Sequence, residues 1–377
     1  MLKFVQKGKK KYLCKKNNRG CPFFLNIKRH TYHPYFILSI MTIDEYYMSR
    51  CIQIAKNGRQ NSQPNPMVGA VIVYFGEENN GQEAIDFGKD ISNSAQHIPG
   101  KIIGEGYHIR QGEGHAEVNA CASVLPENEH LLKESTIYVS LEPCSHFGKT
   151  PPCADLLVSK GFKRCVVGCQ DPNERVQGRG IKRLRDAGIE VVVGVLEAEC
   201  LEFNKRFMTF HGKCRPMVTL KWAQSADGFI DGHISTPYTQ MICHKRRAEH
   251  QAILVGRHTY DVDQPGLDVR EWKGVSPKKY VVSNDPNFTP SEDFERLVGT
   301  VSTMLSTLYA KGIQTVLVEG GSKLHQSFID SGLWDECYVE IGNEVINGSI
   351  PAPILKNARL VERKSYFGRI ITKYEPV

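Results

Sequence analysis

The segments GHAEVNA (Gly114–Ala120) and LEPCSHFGKTPPCAD (Leu141–Asp155) contain the residues that decide the fold of the first half of this chain. They supply His115, Cys144 and Cys153, an imidazole and two thiols of the kind that Zn²⁺ prefers as ligands. Three protein ligands leave the fourth position of a tetrahedral ion to water, whose pKa the metal lowers toward 7. The sequence therefore predicts a zinc site with an open position.

Glu117 stands two residues after His115 and completes the His-x-Glu and Pro-Cys pattern that is typical of hydrolytic zinc deaminases. In such a site, water attacks a ring carbon that bears an exocyclic amine, and we expect Glu117 to move protons without binding the metal. Two other interpretations exist: buried thiols that pack as small hydrophobic residues, or a structural zinc site. A structural site normally has four protein ligands, whereas this set offers three.

Eight residues separate Cys144 from Cys153, whereas deaminases of nucleosides or polynucleotides usually have Pro-Cys-x-x-Cys. The longer loop contains His146 and Lys149, which we expect to contact an anionic substrate such as a sugar phosphate. A solvent-exposed surface lysine is the alternative for Lys149. A nucleoside or polynucleotide deaminase with an unrelated C-terminal domain stays open as the second interpretation, although the body of the chain lacks a basic, aromatic-rich surface pattern.

The rest of the first half alternates predicted helices and strands around these motifs. We expect a helix from Asp44, a buried strand after the Pro64–Pro66 break, and two helix–strand pairs after the zinc motifs. This alternation predicts a layered α/β fold. The polar stretch Gly76–Lys101 is predicted to be a surface loop.

A chain of 377 residues is long enough for two domains. We place a zinc domain at 41–200, a linker at 201–214 and a second domain at 215–377, and we expect residues 195–214 to form a helix followed by a connector. No apolar run is long enough to span a membrane. Twelve cysteines in a chain without a credible export signal favour the cytoplasm.

The chain has a net charge of +7, but residues 1–40 hold ten Lys and Arg and no Asp or Glu, so the remainder carries −3. This segment could be a nucleic-acid arm, a targeting peptide, or translated sequence upstream of Met41. Its apolar stretches are too short for a secretory signal, and it lacks the Ser richness of a transit peptide. We expect a basic extension that is disordered or has no function.

The second half has no G-x-G-x-x-G fingerprint, so a Rossmann-type dinucleotide fold has no support there. It does contain IQTVLVEGGSKLHQSFIDSG (Ile313–Gly332), an apolar strand followed by Glu319-Gly320-Gly321 and an amphipathic helix. Glycines at the start of a helix let backbone N–H groups approach a phosphate closely. A tight turn without a ligand is the alternative interpretation.

These motifs, in this order, resemble the bifunctional deaminase-reductase family of riboflavin biosynthesis in bacteria and plants. The resemblance runs from Met41 to the C-terminus. Besides the zinc motifs it rests on PNPMVGAVIV (Pro64–Val73), GEGYH (Gly104–His108), KWAQSADG (Lys221–Gly228), Arg247-Ala248, DQPGLDVR (Asp263–Arg270) and VEGG (Val318–Gly321). It implies a cytidine-deaminase-like three-layer α/β domain followed by a dihydrofolate-reductase-like α/β domain.

The resemblance also implies two reactions and their cofactors. The first is zinc-dependent deamination of 2,5-diamino-6-ribosylamino-4(3H)-pyrimidinone 5′-phosphate, with one Zn²⁺ per chain. The second is NADPH-dependent reduction of the ribosyl group, which gives 5-amino-6-ribitylamino-uracil 5′-phosphate. The implied partner is therefore a small phosphorylated pyrimidine, without nucleic acid or a membrane, and a homo-oligomer is left open.

Roles for individual residues follow from the same resemblance. In the first domain it implies further substrate contacts, for which turn or structural roles are the alternatives, at Asn65, His108, Asp171 and Asn173. In the second domain it implies substrate contacts at Arg247, Leu267, Arg270 and Glu319, with the two arginines holding the ribose phosphate. It implies NADPH contacts at Ala223, Thr259, Asp263, Gly320 and Gly321. Gln264 and His233 depart from the family's usual residues near the cofactor.

Overall fold

The computed structural model of this chain describes residues 2–7, 10–15, 25–26, 41–59, 61–76, 99–147, 151–173 and 177–377. The chain divides into two units, residues 1–43 with 81–99 and residues 44–80 with 100–377. In the first unit, the described backbone forms an antiparallel sheet of β1 (Leu2–Lys7), β2 (Lys10–Lys15) and β3 (Leu25–Asn26). The rest of the N-terminal extension and almost all of the predicted polar loop lie outside the described residues.

A five-stranded mixed sheet forms the centre of the first half. Its strands, in spatial order, are β5 (Lys101–Tyr107), β4 (Gly69–Tyr74), β6 (Thr136–Leu141), β7 (Arg164–Cys169) and β8 (Glu190–Val193). β4 is antiparallel to both neighbours, whereas β6, β7 and β8 are parallel. Every residue of β6 and β7 is buried, as expected for parallel strands that helices cover on both faces.

Helices lie on both faces of this sheet. α1 (Ile43–Ala55) packs on one face, where the ring of Tyr47 lies 5.3 Å from that of Tyr138. The other face shares an apolar core with α2 (Ala116–Ala122), α3 (Cys153–Lys160) and α4 (Arg179–Asp186). Short 3₁₀ helices occupy Lys56–Gly58 and Pro126–Glu134. The predicted three-layer α/β architecture is confirmed.

Gly106 in β5 allows α2 to approach the sheet closely. A Cβ atom at this position would lie 2.2 Å from the backbone nitrogen of Ala120, a distance that no side chain could tolerate. The close approach sets the height of α2 above the sheet and therefore the position of His115, which precedes the helix.

The segment after the first sheet is helical almost throughout. α5 (Glu197–Phe203) is followed at once by α6 (Lys205–Lys213), and the break falls at Asn204, whose φ and ψ are −104° and 22°. We expected a helix followed by a connector in residues 195–214. The helix is confirmed, but the expected connector is wrong, because that part of the chain forms a second helix. We refer to residues 197–213 as the connector helices.

The second half is built on an eight-stranded sheet. In spatial order its strands are β12 (Phe294–Leu297), β11 (Lys278–Val282), β10 (Ala252–Gly256), β13 (Thr315–Val318), β9 (Met217–Gln224), β14 (Glu336–Ile341), β16 (Arg369–Pro376) and β15 (Ala358–Tyr366). The strands from β12 to β14 are parallel, and the β15–β16 hairpin adds an antiparallel edge.

Alternate residues of β10 face two different cores. Leu254 joins a core with α9 (Val301–Ala310) and α10 (Ser322–Ser331), whereas Ile253 joins a smaller core on the opposite face. α7 (Pro237–Ala248) and α8 (Arg257–Asp263) complete the helices of this half in the described residues. The strand and helix predicted within 313–332 are confirmed as β13 and α10. No helix in the described part of the chain has the length and apolarity of a membrane span.

Candidate active sites

The three predicted zinc ligands meet at one end of the first sheet. His115 is the N-cap residue of α2, Cys153 is the first residue of α3, and Cys144 lies three residues beyond the end of β6. Two helix N-termini therefore lie beside the thiols, where their dipoles favour the thiolate form.

The distances between these side chains suit a single metal ion. Nδ1 of His115 lies 3.5 Å from Sγ of Cys144 and 3.4 Å from Sγ of Cys153, and all three ligand atoms lie within 4.8 Å of one another. Bond lengths of about 2.0–2.3 Å in a tetrahedral zinc site separate the ligand atoms by roughly 3.4–3.8 Å. Among the residues that the structure describes, the cluster has three members, so the donor set fits zinc with one position left for water.

The two thiols share one proton. The hydrogen bond with Cys153 lowers the pKa of Cys144 to about 4, and the same hydrogen bond raises the pKa of Cys153. A divalent cation bound between the sulfurs would replace that shared proton, because metal ligation requires the thiolate.

Glu117 lies beside the cluster without belonging to it. Its side chain is only 4% exposed, and burial, followed by the negative charge of Cys144, raises the pKa of its carboxyl group to about 7. A carboxyl group that titrates near neutral pH is suited to accept a proton and to return it.

Asn65 and His108 form a wall next to the zinc cluster. Nδ1 of His108 lies 3.2 Å from the carbonyl oxygen of Gly114, which can only accept, so Nδ1 carries the proton. Burial lowers the pKa of His108, so the ring is neutral at pH 7 and its Nε2 accepts from Nδ2 of Asn65 at 3.1 Å. The His108 and His115 rings are 5.5 Å apart. The amide of Asn65 is therefore oriented, and the described residues supply no donor to its Oδ1.

The loop after β7 is tied to the cysteine loop by Glu142, a residue to which the sequence analysis gave no role. Its buried carboxylate accepts from the backbone N–H groups of Gly178 (2.9 Å), Gly180 (3.0 Å), Ile181 (3.3 Å) and Asp171 (3.3 Å). Its only signal in the sequence was its place two residues before Cys144.

The other predicted deaminase contacts are less enclosed. Asp171 accepts from the backbone of Asn173 at 2.8 Å, so it makes the turn contact that was the alternative to a substrate role, and burial raises the pKa of its carboxyl group. His146 is exposed at the start of the loop between the cysteines. Lys149 lies outside the described residues.

Arg247 and Glu319 come together in the second half. Nη2 of Arg247 donates to Oε2 of Glu319 at 2.7 Å and Nε donates to Oε1 at 3.1 Å. Burial alone would raise the pKa of Glu319, but the guanidinium outweighs it, and the net shift is downward. The pair joins the last turn of α7 to the end of β13.

Asp268 links both predicted phosphate-binding arginines. Its carbonyl oxygen accepts from Nη1 of Arg247 at 3.2 Å, and its carboxylate accepts from Nη1 of Arg270 at 2.7 Å. Leu267, immediately before it, is buried and has a φ of 47°, a backbone conformation that is rare for leucine. The structure thus brings the substrate residues expected on α7 and on the 263–270 loop to the same place.

Lys221 and Glu340 are residues of this cleft that the sequence analysis left without a role. Together with Thr239, Cys243 and Arg246 they line a cavity between α7 and the sheet. Burial alone would lower the pKa of Lys221, but electrostatic interactions with Cys243, Glu319 and Glu340 raise it. Lys221 is therefore a cation at pH 7. Lys221 is the first residue of the quoted motif KWAQSADG, and this place in a motif was its only signal in the sequence.

Two of the predicted NADPH contacts adjoin directly. A Cβ atom at Gly320 would lie 3.0 Å from the methyl group of Thr259, and Gly321, with a φ of 76°, precedes α10. Asp263 ends α8 one turn after Thr259, and Gln264 follows with a φ of 41°. Ala223 lies on β9, opposite Glu340 in β14.

Known proteins match both halves of the chain. The family model for the cytidine and deoxycytidylate deaminase zinc-binding region matches residues 41–169, and the model for the RibD C-terminal domain matches residues 216–349. The chain is 40% identical over 344 residues to the riboflavin biosynthesis protein RibD of Aquifex aeolicus, an alignment that covers 81% of this chain and 89% of that protein. The protein of the same name from Bacillus amyloliquefaciens is 34% identical over 354 residues, with 83% and 88% covered.

A solved structure from Thermotoga maritima has the same fold over nearly the whole chain. It is described as a diaminohydroxyphosphoribosylaminopyrimidine deaminase/5-amino-6-(5-phosphoribosylamino)uracil reductase. The two chains are 29% identical and superpose with a TM-score of 0.74, covering 92% of this chain and 100% of the other.

Proposed function

We propose which residues carry the two reactions of this chain, which belongs to the RibD family of riboflavin biosynthesis proteins. The chain is a bifunctional deaminase and reductase with Zn²⁺ and NADPH as cofactors. His115, Cys144 and Cys153 are the proposed zinc ligands, and the observation that carries this assignment is the approach of their three ligand atoms to within 4.8 Å. A zinc ion held by these residues would supply an activated water.

Glu117 is the proposed proton carrier of the first reaction. In the hydrolysis, a C–O bond forms at the ring carbon, the C–N bond to the exocyclic amine breaks, and ammonia leaves. Glu117 accepts one proton of the attacking water and passes it to the ring nitrogen. It then accepts the proton of the new hydroxyl group and passes it to the departing amine, so that a ring carbonyl and ammonia are formed. Because the carboxyl group of Glu117 is buried, bulk solvent does not compete for the proton that it carries.

The proposed substrate of the first reaction is 2,5-diamino-6-ribosylamino-4(3H)-pyrimidinone 5′-phosphate. The Oδ1 atom of Asn65 accepts a hydrogen bond from a pyrimidine amino group, because Nδ2 of the same amide is bonded to the imidazole ring of His108. His146 and Lys149 contact the anionic part of the substrate. Asp171 and Asn173, on the loop whose backbone donates to Glu142, are the remaining proposed substrate contacts.

The second half carries the proposed reduction of the ribosyl group to ribityl. NADPH supplies the hydride when bound. Ala223, Thr259, Asp263, Gly320 and Gly321 form its proposed site. The proposed substrate contacts are Arg247, Leu267, Arg270 and Glu319, and Lys221, a cation beside Glu319, is the proposed proton source for the sugar oxygen.

One coupled assay tests this assignment of two reactions. Purified protein with the diamino substrate and NADPH is expected to release one ammonia and to oxidise one NADPH for each substrate molecule. Substrate without NADPH is expected to release ammonia alone. Ammonia release from cytidine at an equal rate would instead favour the nucleoside deaminase. A cytoplasmic location, with neither nucleic acid nor a membrane as partner, is part of the same proposal.

A further inference from the structure

Asn204, at the break between the two connector helices, reaches back to the turn that carries Asn65. Its Oδ1 accepts from the backbone N–H of Met67 at 2.9 Å, and its Nδ2 donates to the carbonyl oxygen of Met67 at 2.9 Å. The residue is only 2% exposed. Asparagine is a favoured N-cap residue, yet the side chain of Asn204 makes no capping bond to α6. Its amide is committed to Met67 instead.

Arg206, two residues later, bonds the same turn. Its Nη2 donates to the carbonyl oxygen of Asn65 at 2.7 Å. Among the described residues no carboxylate pairs with this guanidinium, and burial lowers the pKa of Arg206 to about 10. A partly buried cation without an acidic partner costs stability, so its single strong contact, with Asn65, needs a reason beyond packing.

The turn also has contacts from α7 of the second half. Nε2 of Gln63 donates to the carbonyl oxygen of Glu249 at 3.2 Å, and Arg59 lies 3.7 Å from the carboxylate of Glu249. Glu249 is the C-cap residue of α7, the helix that ends with Arg247 and Ala248. Segment 59–67 is therefore held by residues outside the zinc domain at several points.

Three backbone groups of the turn depend on the connector helices. The backbone N–H of Asn65 donates to the carbonyl oxygen of Ser62 at 2.8 Å, but the carbonyl oxygen of Asn65 and both polar backbone groups of Met67 are bonded by the connector. Buried backbone groups need partners, so removal of the connector side chains would leave these three groups to find others.

We propose that Asn204 and Arg206 are positioning residues of the deaminase site, which fix the Pro64–Met67 turn so that the amide of Asn65 meets the pyrimidine. The zinc domain is then incomplete without the connector helices. This inference rests on the proposed function, because it uses Asn65 as a substrate contact. It adds that the specificity of the first reaction depends on residues about 140 positions later in the chain.

The test measures ammonia release and zinc content in the full-length chain. Asn204→Ala and Arg206→Met are expected to lower kcat/KM for ammonia release by roughly 10- to 100-fold, mostly through KM, because a substrate contact is misplaced while Glu117 and the ligands stay. Arg206→Lys, which keeps a donor and the charge, is expected to retain more activity than Arg206→Met. All variants should keep about as much zinc as the parent chain and should reduce the deaminated intermediate at the parent rate.

A matched control lies between the two residues. Lys205 pairs with Glu375 of the second half at 2.9 Å and has no hydrogen bond or ion pair with the described residues of the turn, so Lys205→Ala is expected to leave ammonia release unchanged. A double-mutant cycle adds a second test. If Asn204 acts through Asn65, the double variant Asn65→Ala with Asn204→Ala should have the same kcat/KM for ammonia release as Asn65→Ala alone.

Three results would overturn the inference. These are an unchanged KM in both Asn204→Ala and Arg206→Met, an additive cycle with Asn65→Ala, and an equal loss of both reactions, which would indicate a purely structural role. If Asn204→Ala does not fold, the ammonia release of Arg206→Lys and Arg206→Met is the test, and equal activity in these two variants would overturn the inference. Failure of the parent chain to release ammonia would contradict the proposed function itself and is a separate outcome.

Discussion

Arg247 and Glu319 face each other as a two-point ion pair, with Nη2 of Arg247 2.7 Å from Oε2 of Glu319 and side chains that are 15% and 6% exposed. The third direction of the guanidinium is taken by the carbonyl oxygen of Asp268. Arg247 is therefore held rigidly before any substrate arrives. Arg270, with its side chain 62% exposed and a single carboxylate partner, is the cation with more freedom to engage a phosphate.

Arg270→Ala is expected to weaken the second reaction selectively. Loss of one charge-assisted contact to a phosphate should lower kcat/KM for NADPH oxidation with the deaminated intermediate by roughly 10- to 100-fold, mostly through KM. Ammonia release and thermal stability should stay at parental values, because this side chain is exposed. A parallel loss of ammonia release in this variant would show that the assignment of Arg270 to the second reaction is wrong.

Glu319 should make the second half sensitive to acid. Its pKa is held below the ordinary value of 4.5, so its ionised form stabilises the fold above that value, and this contribution is lost as the pH falls through the folded pKa. Glu319→Gln leaves the guanidinium of Arg247 partly buried without a counter-charge and should lower the free energy of unfolding by about 3 kcal/mol at pH 7.

Denaturant titrations between pH 3 and pH 7 provide the measurement. The difference in the free energy of unfolding between the parent chain and Glu319→Gln should become smaller as the solution is acidified. Glu344→Gln, which removes an exposed partner of Arg369, is the control and should change the unfolding midpoint little at any pH. If this difference in the free energy of unfolding became larger in acid, the downward direction given for the pKa of Glu319 would be wrong.

Glu117→Gln is expected to separate metal binding from catalysis. The variant should retain about one zinc per chain, because Glu117 lies outside the ligand cluster, and ammonia release should fall by at least roughly 100-fold, the lower range for general acid–base catalysis. Zinc analysis and an ammonia assay on the same preparation check this. Persistent deamination would remove Glu117 from its proposed role.

Removal of zinc should affect only the first reaction. A chelator, or Cys153→Ser, is expected to abolish ammonia release and to leave NADPH oxidation with the deaminated intermediate intact, because the cluster lies wholly within the first sheet's domain. Cys214→Ser changes an exposed thiol at the C-cap of α6 and serves as the control. If Cys153→Ser kept its zinc and its activity, another residue would have to be the third ligand.

Deletion of residues 1–40 is expected to leave both reactions intact. The basic excess of the chain lies in this segment, and the resemblance to the family begins at Met41. Turnover of both reactions, measured in the shortened and the full-length chain under the same conditions, checks the expectation. A large fall in either turnover would give the extension a function.

The zinc site could be predicted from the sequence because its chemistry is local in the chain. His115 and Glu117 are two residues apart, and Cys144 and Cys153 flank one loop, so residue type and spacing alone indicate the metal and the proton carrier. The strand and helix around Gly320-Gly321 were predictable for the same reason, since hydrophobic periodicity is a property of neighbouring residues.

The contacts that only the tertiary structure decided join a side chain to a backbone group far away in the sequence. Asn204 binds the backbone of Met67, Glu142 accepts from a backbone N–H group in the first turn of α4, and Arg247 donates to the carbonyl oxygen of Asp268. Every residue offers backbone N–H or C=O groups, so no pattern of residue types marks such a partner. Which group lies within reach depends on how the helices pack on the sheets, and that packing is settled by the whole chain at once.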